Sequence, residues 1–287
     1  MKQKDTHYLE RNGFIATLAP RKNDAHKGLF GSVAIIGGDN SMVGAVLLSA
    51  RAALLSGAGR VYAALLSADA PSVDPLHPEI MFRSPADLTT LTQLDCVVIG
   101  PGLGQSPLAI ELLAFWLAKS MPMLIDADAL NLLARHPALV AICKKRHVGT
   151  VITPHAGEAA RLLEVSNEDI QQNRVERALK LAGAFHVTCV LKGAGSIIGH
   201  FDGSYFVNTT GNVGLASGGT GDVLSGIIGS LMAQGLSGLE SAKLGVFVHG
   251  AAADALVARG IGPIGLTASE VAHETRHILN QLSQKTE

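Results

Sequence analysis

Asp222 stands directly behind Gly218-Gly219-Thr220-Gly221, within GLASGGTGDVLSG (214–226), and an apolar run follows it. Glycines ahead of a helix leave its first N–H groups uncovered at the positive end of the macrodipole, where an anion is stabilised. A carboxylate beside such a hole can take the proton of a hydroxyl that attacks a held phosphoryl group. Phosphoryl transfer asks for little more than positioning and charge stabilisation. Gly219, Thr220 and Gly221 are therefore read as an anion hole and Asp222 as a general base. The plainer reading, a helix-start carboxylate favoured by the dipole, accounts for the Asp but not for the glycines around it.

Further chemistry sits at the ends of apolar runs: GGDNS (37–41), GPGLG (100–104), DADALN (126–131), TPHAGE (153–158) and KGAGS (192–196). Ligands of open α/β sheets bind outside the carboxyl ends of the strands, so these clusters suggest one large site along one sheet edge. GPGLG invites a dinucleotide-binding reading, with Asp126 as the ribose acid. The G-x-G-x-x-G fingerprint fails because position 105 is Gln. A plain strand-to-helix turn and a close ligand approach to its backbone both stay open. GGTGD lacks the Gly-Lys-Ser/Thr ending of a nucleotide-triphosphate P-loop. Lys192 can reach a nucleotide phosphate, with small residues behind it, or can be a solvated lysine on a turn. His155 and Glu158 suit either a helix cap or contacts to a ligand and, through water, a metal. The other histidines stand singly, and no spacing suggests zinc.

These residues need a frame, and the bulk properties supply one. The chain has 287 residues, 47% hydrophobic and 16% charged, with 32 glycines. That profile fits a compact α/β protein with a large core. A formal net charge of -1 advertises neither nucleic acid nor an anionic membrane as partner. Cys96, Cys143 and Cys189 are odd in number and widely spaced, and read as buried thiols of a reducing compartment. The first residues, MKQKDTHYLERNG, are polar and lack the apolar stretch of a signal peptide. Arg51, Lys119 or glycines break the apolar windows below the roughly 20 residues of a membrane span. A cytoplasmic protein is expected.

Apolar strands are expected at 32–38, 60–66, 95–102, 121–126, 150–153, 187–199 and 204–208. Helices are expected at 41–59, 106–119 with Ser106 as cap, after 126, after 155, and over 220–234, 239–258 and 267–283. Continuous apolar strands separated by helices imply a mostly parallel sheet covered on both faces. Asp202-Gly203 between two β-rich runs implies a hairpin. With no linker or repeat, residues 1–287 read as a single domain with a short polar extension over about 1–25.

Taken in order, GGDxSMxGA, GPGLG, DADALN, TPHxGE, LKGxGS and NxxGNxGLASGGTGDVLSG resemble the ADP-dependent NAD(P)H-hydrate dehydratase family of the ribokinase-like superfold. The likeness runs over roughly residues 26 to 280. It implies a repair enzyme: the hydroxyl of hydrated NADH or NADPH is phosphorylated, phosphate is eliminated, and the dihydropyridine returns with release of AMP. The resemblance carries hydrate binding onto Ala45, Gly104, His155 and Asp222. It carries nucleotide binding onto Lys192, Gly193, Ala194, Gly195, Ser196 and Gly221. It also implies ADP as phosphoryl donor, Mg2+ with unknown ligands, a homotetramer, and an epimerase supplied by a separate protein. Val46 and Ser217 depart from the family's usual Ala and Thr. A small-molecule kinase of the same superfold, of hydroxyethylthiazole or hydroxymethylpyrimidine type, shares the GTGD logic but would release a phosphorylated product. A regulatory nucleotide-binding module would be expected to lack the base.

Overall fold

The computed structural model describes residues 6–14, 17–18 and 20–284. In chain order the elements are β1 (His7–Tyr8), β2 (Ser32–Gly37), α1 (Val43–Leu55), β3 (Arg60–Leu65), β4 (Met81–Arg83), α2 (Pro85–Leu88), β5 (Cys96–Ile99), α3 (Pro107–Leu117), β6 (Met123–Ile125), α4 (Ala127–Arg135), α5 (Pro137–Cys143), β7 (Thr150–Ile152), α6 (Ala156–Leu163), α7 (Asn167–Gln172), α8 (Arg174–Phe185), β8 (Thr188–Leu191), β9 (Ile197–His200), β10 (Tyr205–Val207), α9 (Thr220–Ala233), α10 (Gly238–Ala258) and α11 (Ala268–Ser283). One ten-stranded sheet runs β1-β10-β9-β8-β7-β6-β5-β2-β3-β4. Its pairings are parallel except β8 with β9 and β9 with β10. The expected hairpin at Asp202-Gly203 is the β9–β10 connection.

The central strands are buried on both faces, and alternate side chains enter different cores. Val33, Ile35, Val98, Leu124, Val151 and Val190 pack under α1, α9, α10 and α11. Ala34, Ile36, Val97, Ile99, Ile125 and Leu191 pack under α3 to α6 and α8 on the other face. Helix α9 runs between the sheet and its helical neighbours and is buried on nearly all sides. Ser106 caps α3 by accepting from the Ala109 N–H at 3.2 Å, as expected. The three cysteines are free and buried.

Two expectations change. Helix α10 has 21 residues and is long and apolar enough by length and composition to cross a bilayer. It is mostly buried and packs against α9 and α11 as a core helix. Glycines inside a run do not interrupt a helix that is buried by its neighbours. The second change concerns the polar extension. Residues 1–5, 15, 16 and 19 of it lie outside the described residues. Within the rest, β1 adds an edge strand beside β10, and Leu9 and Phe14 are buried at 3% exposure each.

Candidate active site

The chain reverses its winding between β2 and β5. From β2 it proceeds outward to β3 and β4, then returns to lay β5 on the other side of β2. Such a switch point opens a crevice at the carboxyl ends of the strands. Here GGDNS and GPGLG meet: Gly38 N–H donates to Pro101 O at 3.0 Å and Asp39 N–H to Gly102 O at 2.7 Å. Ala45, in the first turn of α1, sits against the same turn. Gly104 has φ of +70°, and a Cβ there would lie 2.4 Å from Asp39 Oδ2. Only glycine fits that combination. Its N–H donates to Asp128 Oδ2 at 3.0 Å, tying the turn to α4.

The neighbouring strand ends deliver the acids. Asp126 is the N-cap of α4 and is 1% exposed. Ala127 behind it has φ of +49°, a conformation costing a non-glycine residue roughly 1–2 kcal/mol. Lys192, at the end of β8, places Nζ 2.7 Å from Asp126 Oδ1 and 4.0 Å from Glu158 Oε2. Ser225 Oγ on α9 donates to the other Asp126 oxygen. Burial works against the Lys192 ammonium, but Asp126, Glu158 and Asp222 outweigh it and hold its pKa above the usual lysine range.

His155 and Glu158 form a capping box at the start of α6. His155 N–H donates to Glu158 Oε2 at 2.7 Å, and His155 Nδ1 accepts from Gly157 N–H at 2.9 Å. With Nδ1 an acceptor, the ring proton lies on Nε2, whose nitrogen is 3.3 Å from Glu158 Oε1. Burial, helped by Lys192 and Arg161, lowers the His155 pKa and keeps the ring neutral at pH 7. The capping reading is thus realised, while half the His155 ring still faces solvent.

Helix α9 begins at Thr220 with Gly219 as its N-cap, left-handed at φ +88°. A Cβ on Gly219 would lie 2.4 Å from Leu48 Cδ1. No side chain caps this end, and among the described residues the N–H groups of Thr220, Gly221 and Asp222 have no acceptor. The Thr220 hydroxyl does not enter the hole. It donates to Leu215 O at 2.8 Å and Ser217 O at 3.0 Å, folding the loop back on itself. Gly221 passes Lys192 closely, with a notional Cβ 3.6 Å from Nζ. Asp222 follows in the first turn. Burial, and then the charges of Asp126, Asp128 and Glu158, raise its pKa to about 7, with Lys192 the sole opposing influence. No protein donor hydrogen-bonds its carboxyl among the described residues.

Sequence reasoning grouped these residues at one edge, and the structure brings Asp222, Gly221 and Lys192 together with Asp126 and Glu158. Gly193, Ala194, Gly195 and Ser196 form the exposed turn after β8, closed by Ser196 Oγ donating to Gly193 O at 3.0 Å. Lys192 rests on carboxylates rather than standing solvated on its turn. Sequence reasoning missed Ser225, Asp128 and the pairing of Asp126 with Lys192. It also missed His249 of α10, buried at 8% exposure with its Nε2 without a hydrogen-bond partner among the described residues. No local signal shows what any of them contacts, because each acts across the fold.

Among the described residues no cluster of three His, Cys, Asp or Glu side chains is arranged to hold a metal. Asp126 is committed to Lys192 and Ser225, and Glu158 to its cap. The residues do not build a resident metal cage, so a divalent cation fits here only as the companion of phosphate oxygens.

The comparisons agree with this geometry. Residues 33–275 match the family model described as NAD(P)H-hydrate dehydratase. The chain is 39% identical to the ADP-dependent (S)-NAD(P)H-hydrate dehydratase of Neisseria meningitidis, over 92% of this chain and 90% of that one. It is 42% identical to a bifunctional NAD(P)H-hydrate repair enzyme of Coxiella burnetii, over 96% of this chain and 56% of that one. The chain thus spans about half the length of such bifunctional relatives. The Bacillus subtilis ADP/ATP-dependent NAD(P)H-hydrate dehydratase, co-crystallised with ATP/Mg2+, superposes with a TM-score of 0.85 at 27% identity, covering 97% of this chain and 99% of that one. The architecture is ribokinase-like, and the family match reaches from the first long strand to the last helix, across every element that supplies the site. The chain belongs to the NAD(P)H-hydrate dehydratase family.

Proposed function

We propose that this chain dehydrates the S epimer of NADH hydrate or NADPH hydrate with ADP as phosphoryl donor. The hydrate's hydroxyl oxygen attacks the terminal phosphorus of ADP and the bond to the bridging oxygen breaks. AMP leaves, and Asp222 takes the hydroxyl proton. The ring carbon–oxygen bond that now carries the phosphate then breaks with loss of a ring proton, giving NAD(P)H and inorganic phosphate. The observation that carries this reading is Asp222: a partly buried carboxyl without a hydrogen-bond donor, raised to about pKa 7, in the first turn of a helix whose leading amides are free. A base poised near the working pH, beside an anion hole, is what proton removal during phosphoryl transfer requires.

In this proposal the amides from Gly219 to Gly221 hold the phosphoryl group. Ala45, Gly104 and His155 line the hydrate's place, and Lys192 to Ser196 the nucleotide's. The site gathers Asp126, Asp128, Glu158 and Asp222 around Lys192. Mg2+ arriving with ADP would offset that excess of negative charge, so it enters as part of the co-substrate. A homotetramer in the cytoplasm and a separate epimerase complete the proposal.

The test follows return of the dihydropyridine absorbance from freshly hydrated NADH with Mg2+ and either ADP or ATP. Recovery that depends on ADP supports the reading. A stable phosphorylated product without recovery would replace it by the small-molecule kinase. Asp222→Asn should lower the rate by about 10²–10⁴-fold while ADP still binds; near-normal turnover would remove Asp222 from its role.

A further inference from the structure

The geometry points to Arg161 as the residue that binds the pyrophosphate bridge of the hydrated dinucleotide, an inference that rests on the dehydratase reading. Arg161 lies on α6, a turn and a half beyond the His155 cap. Its Nε donates to Asn131 Oδ1 at 2.9 Å, on α4. Asn131 Nδ2 in turn approaches Asp128 Oδ1 at 3.5 Å, and Asp128 Oδ2 accepts from Gly104 N–H at 3.0 Å. On its other side the guanidinium faces the His155 turn: a Cβ on Gly157 would lie 3.8 Å from Nη1. The arginine is therefore strung between Gly104 and His155, two of the positions assigned to the hydrate.

Among the described residues no hydrogen-bond acceptor takes the rest of this guanidinium. Among the described residues no carboxylate lies within ion-pair distance of Arg161, and its two terminal nitrogens have no acceptor. Asn131 fixes one edge of the planar group and leaves the other edge open. A planar fork held this way loses little freedom when it takes two oxygens at once. A pyrophosphate offers adjacent anionic oxygens that match it, and it is the one anionic group common to both hydrated dinucleotides. Arg135, whose Nη1 donates to Gln105 Oε1 beside Gly104, adds at the same rim a second cation that has no acid partner among the described residues. The strand-end acids repel an anionic substrate, and these two arginines sit where the dinucleotide would pass them. A purely structural Arg161 would be complete with its Asn131 bond.

The experiment compares the wild-type enzyme with Arg161→Gln and Arg161→Lys, using NADH hydrate and NADPH hydrate separately at saturating ADP and Mg2+. The expected result is a KM for both hydrates raised by about 10–100-fold in the Gln variant, kcat within about threefold, and the KM for ADP unmoved. The Lys variant keeps the charge without the fork and should recover part of the loss. An unchanged KM for both hydrates overturns the inference. A rise confined to NADPH hydrate also overturns it, because Arg161 would then read the 2′-phosphate. Calorimetric titration of ADP-ribose, which carries the same pyrophosphate, separates the two readings. If wild-type lacks dehydratase activity but Arg161→Gln weakens ADP-ribose binding at least about tenfold, the pyrophosphate contact stands and the reaction assignment fails.

Discussion

Asp222 titrates near neutrality because burial and three neighbouring acids outweigh Lys192. A general base must be deprotonated to act, so kcat/KM should climb with pH and level off above about 7. Two substitutions should move that acid limb in opposite directions. Asp126→Asn removes a negative charge that raises the Asp222 pKa, so the limb shifts to lower pH. Lys192→Met removes the one influence that lowers it, so the limb shifts to higher pH. A pH profile of kcat/KM that stays in place for both variants would mean another group titrates. At this scale the sequence was informative where chemistry was local. Glycines crowded around Asp222 could be read directly. The ion pair of Asp126 with Lys192 could not, because it joins residues 66 positions apart through a sheet register that no local pattern encodes.

Among the elements, helix α9 carries the anion hole and is held in place by backbone contact with α1. A Cβ on Gly226 would lie 2.0 Å from Ser49 O, which cannot rotate away. Gly226→Ala should cost about 3 kcal/mol of stability as the two helices are forced apart, read from the urea midpoint. Gly183, exposed in α8, has nothing within 4 Å of a notional Cβ. Gly183→Ala should stabilise by roughly 0.5 kcal/mol through helix propensity. Both glycines sit in helices, and the sequence alone gives no way to tell them apart. The long helices and most strands were legible from their apolar periods. The segment over 166–186 was not, because Asn173, at φ -125° and ψ 37°, divides it into α7 and α8 and interrupts the period. Strand β4 is a half-exposed edge strand, and Met81-Phe82 ahead of Arg83 make no apolar run.

For the whole molecule, the sheet separates two cores, and the amino-terminal segment helps close one of them. Phe14 is 3% exposed and its ring lies 4.9 Å from that of Phe247 on α10. Phe14→Ala should lower the unfolding free energy by about 3–5 kcal/mol, seen as a lower chemical-denaturation midpoint. A change of less than about 1 kcal/mol would return the segment to the status of a polar extension. Its role was hidden because β1 pairs with β10, His7 opposite Phe206, some two hundred residues away.

The buried thiols have a practical consequence. Burial raises the pKa of Cys96 and Cys189 far above that of a free thiol, and that of Cys143 to about 11. None offers a thiolate to an alkylating reagent while the fold is closed. Labelling must then wait for opening, and its rate measures how often each region opens. Cys96 lies in β5 and Cys189 in β8, both in the middle of the sheet, whereas Cys143 ends the short α5. The native chain thus carries three internal timers. Slowing of the β5 and β8 timers when ADP is added would report ligand-induced tightening of the sheet without any engineered probe.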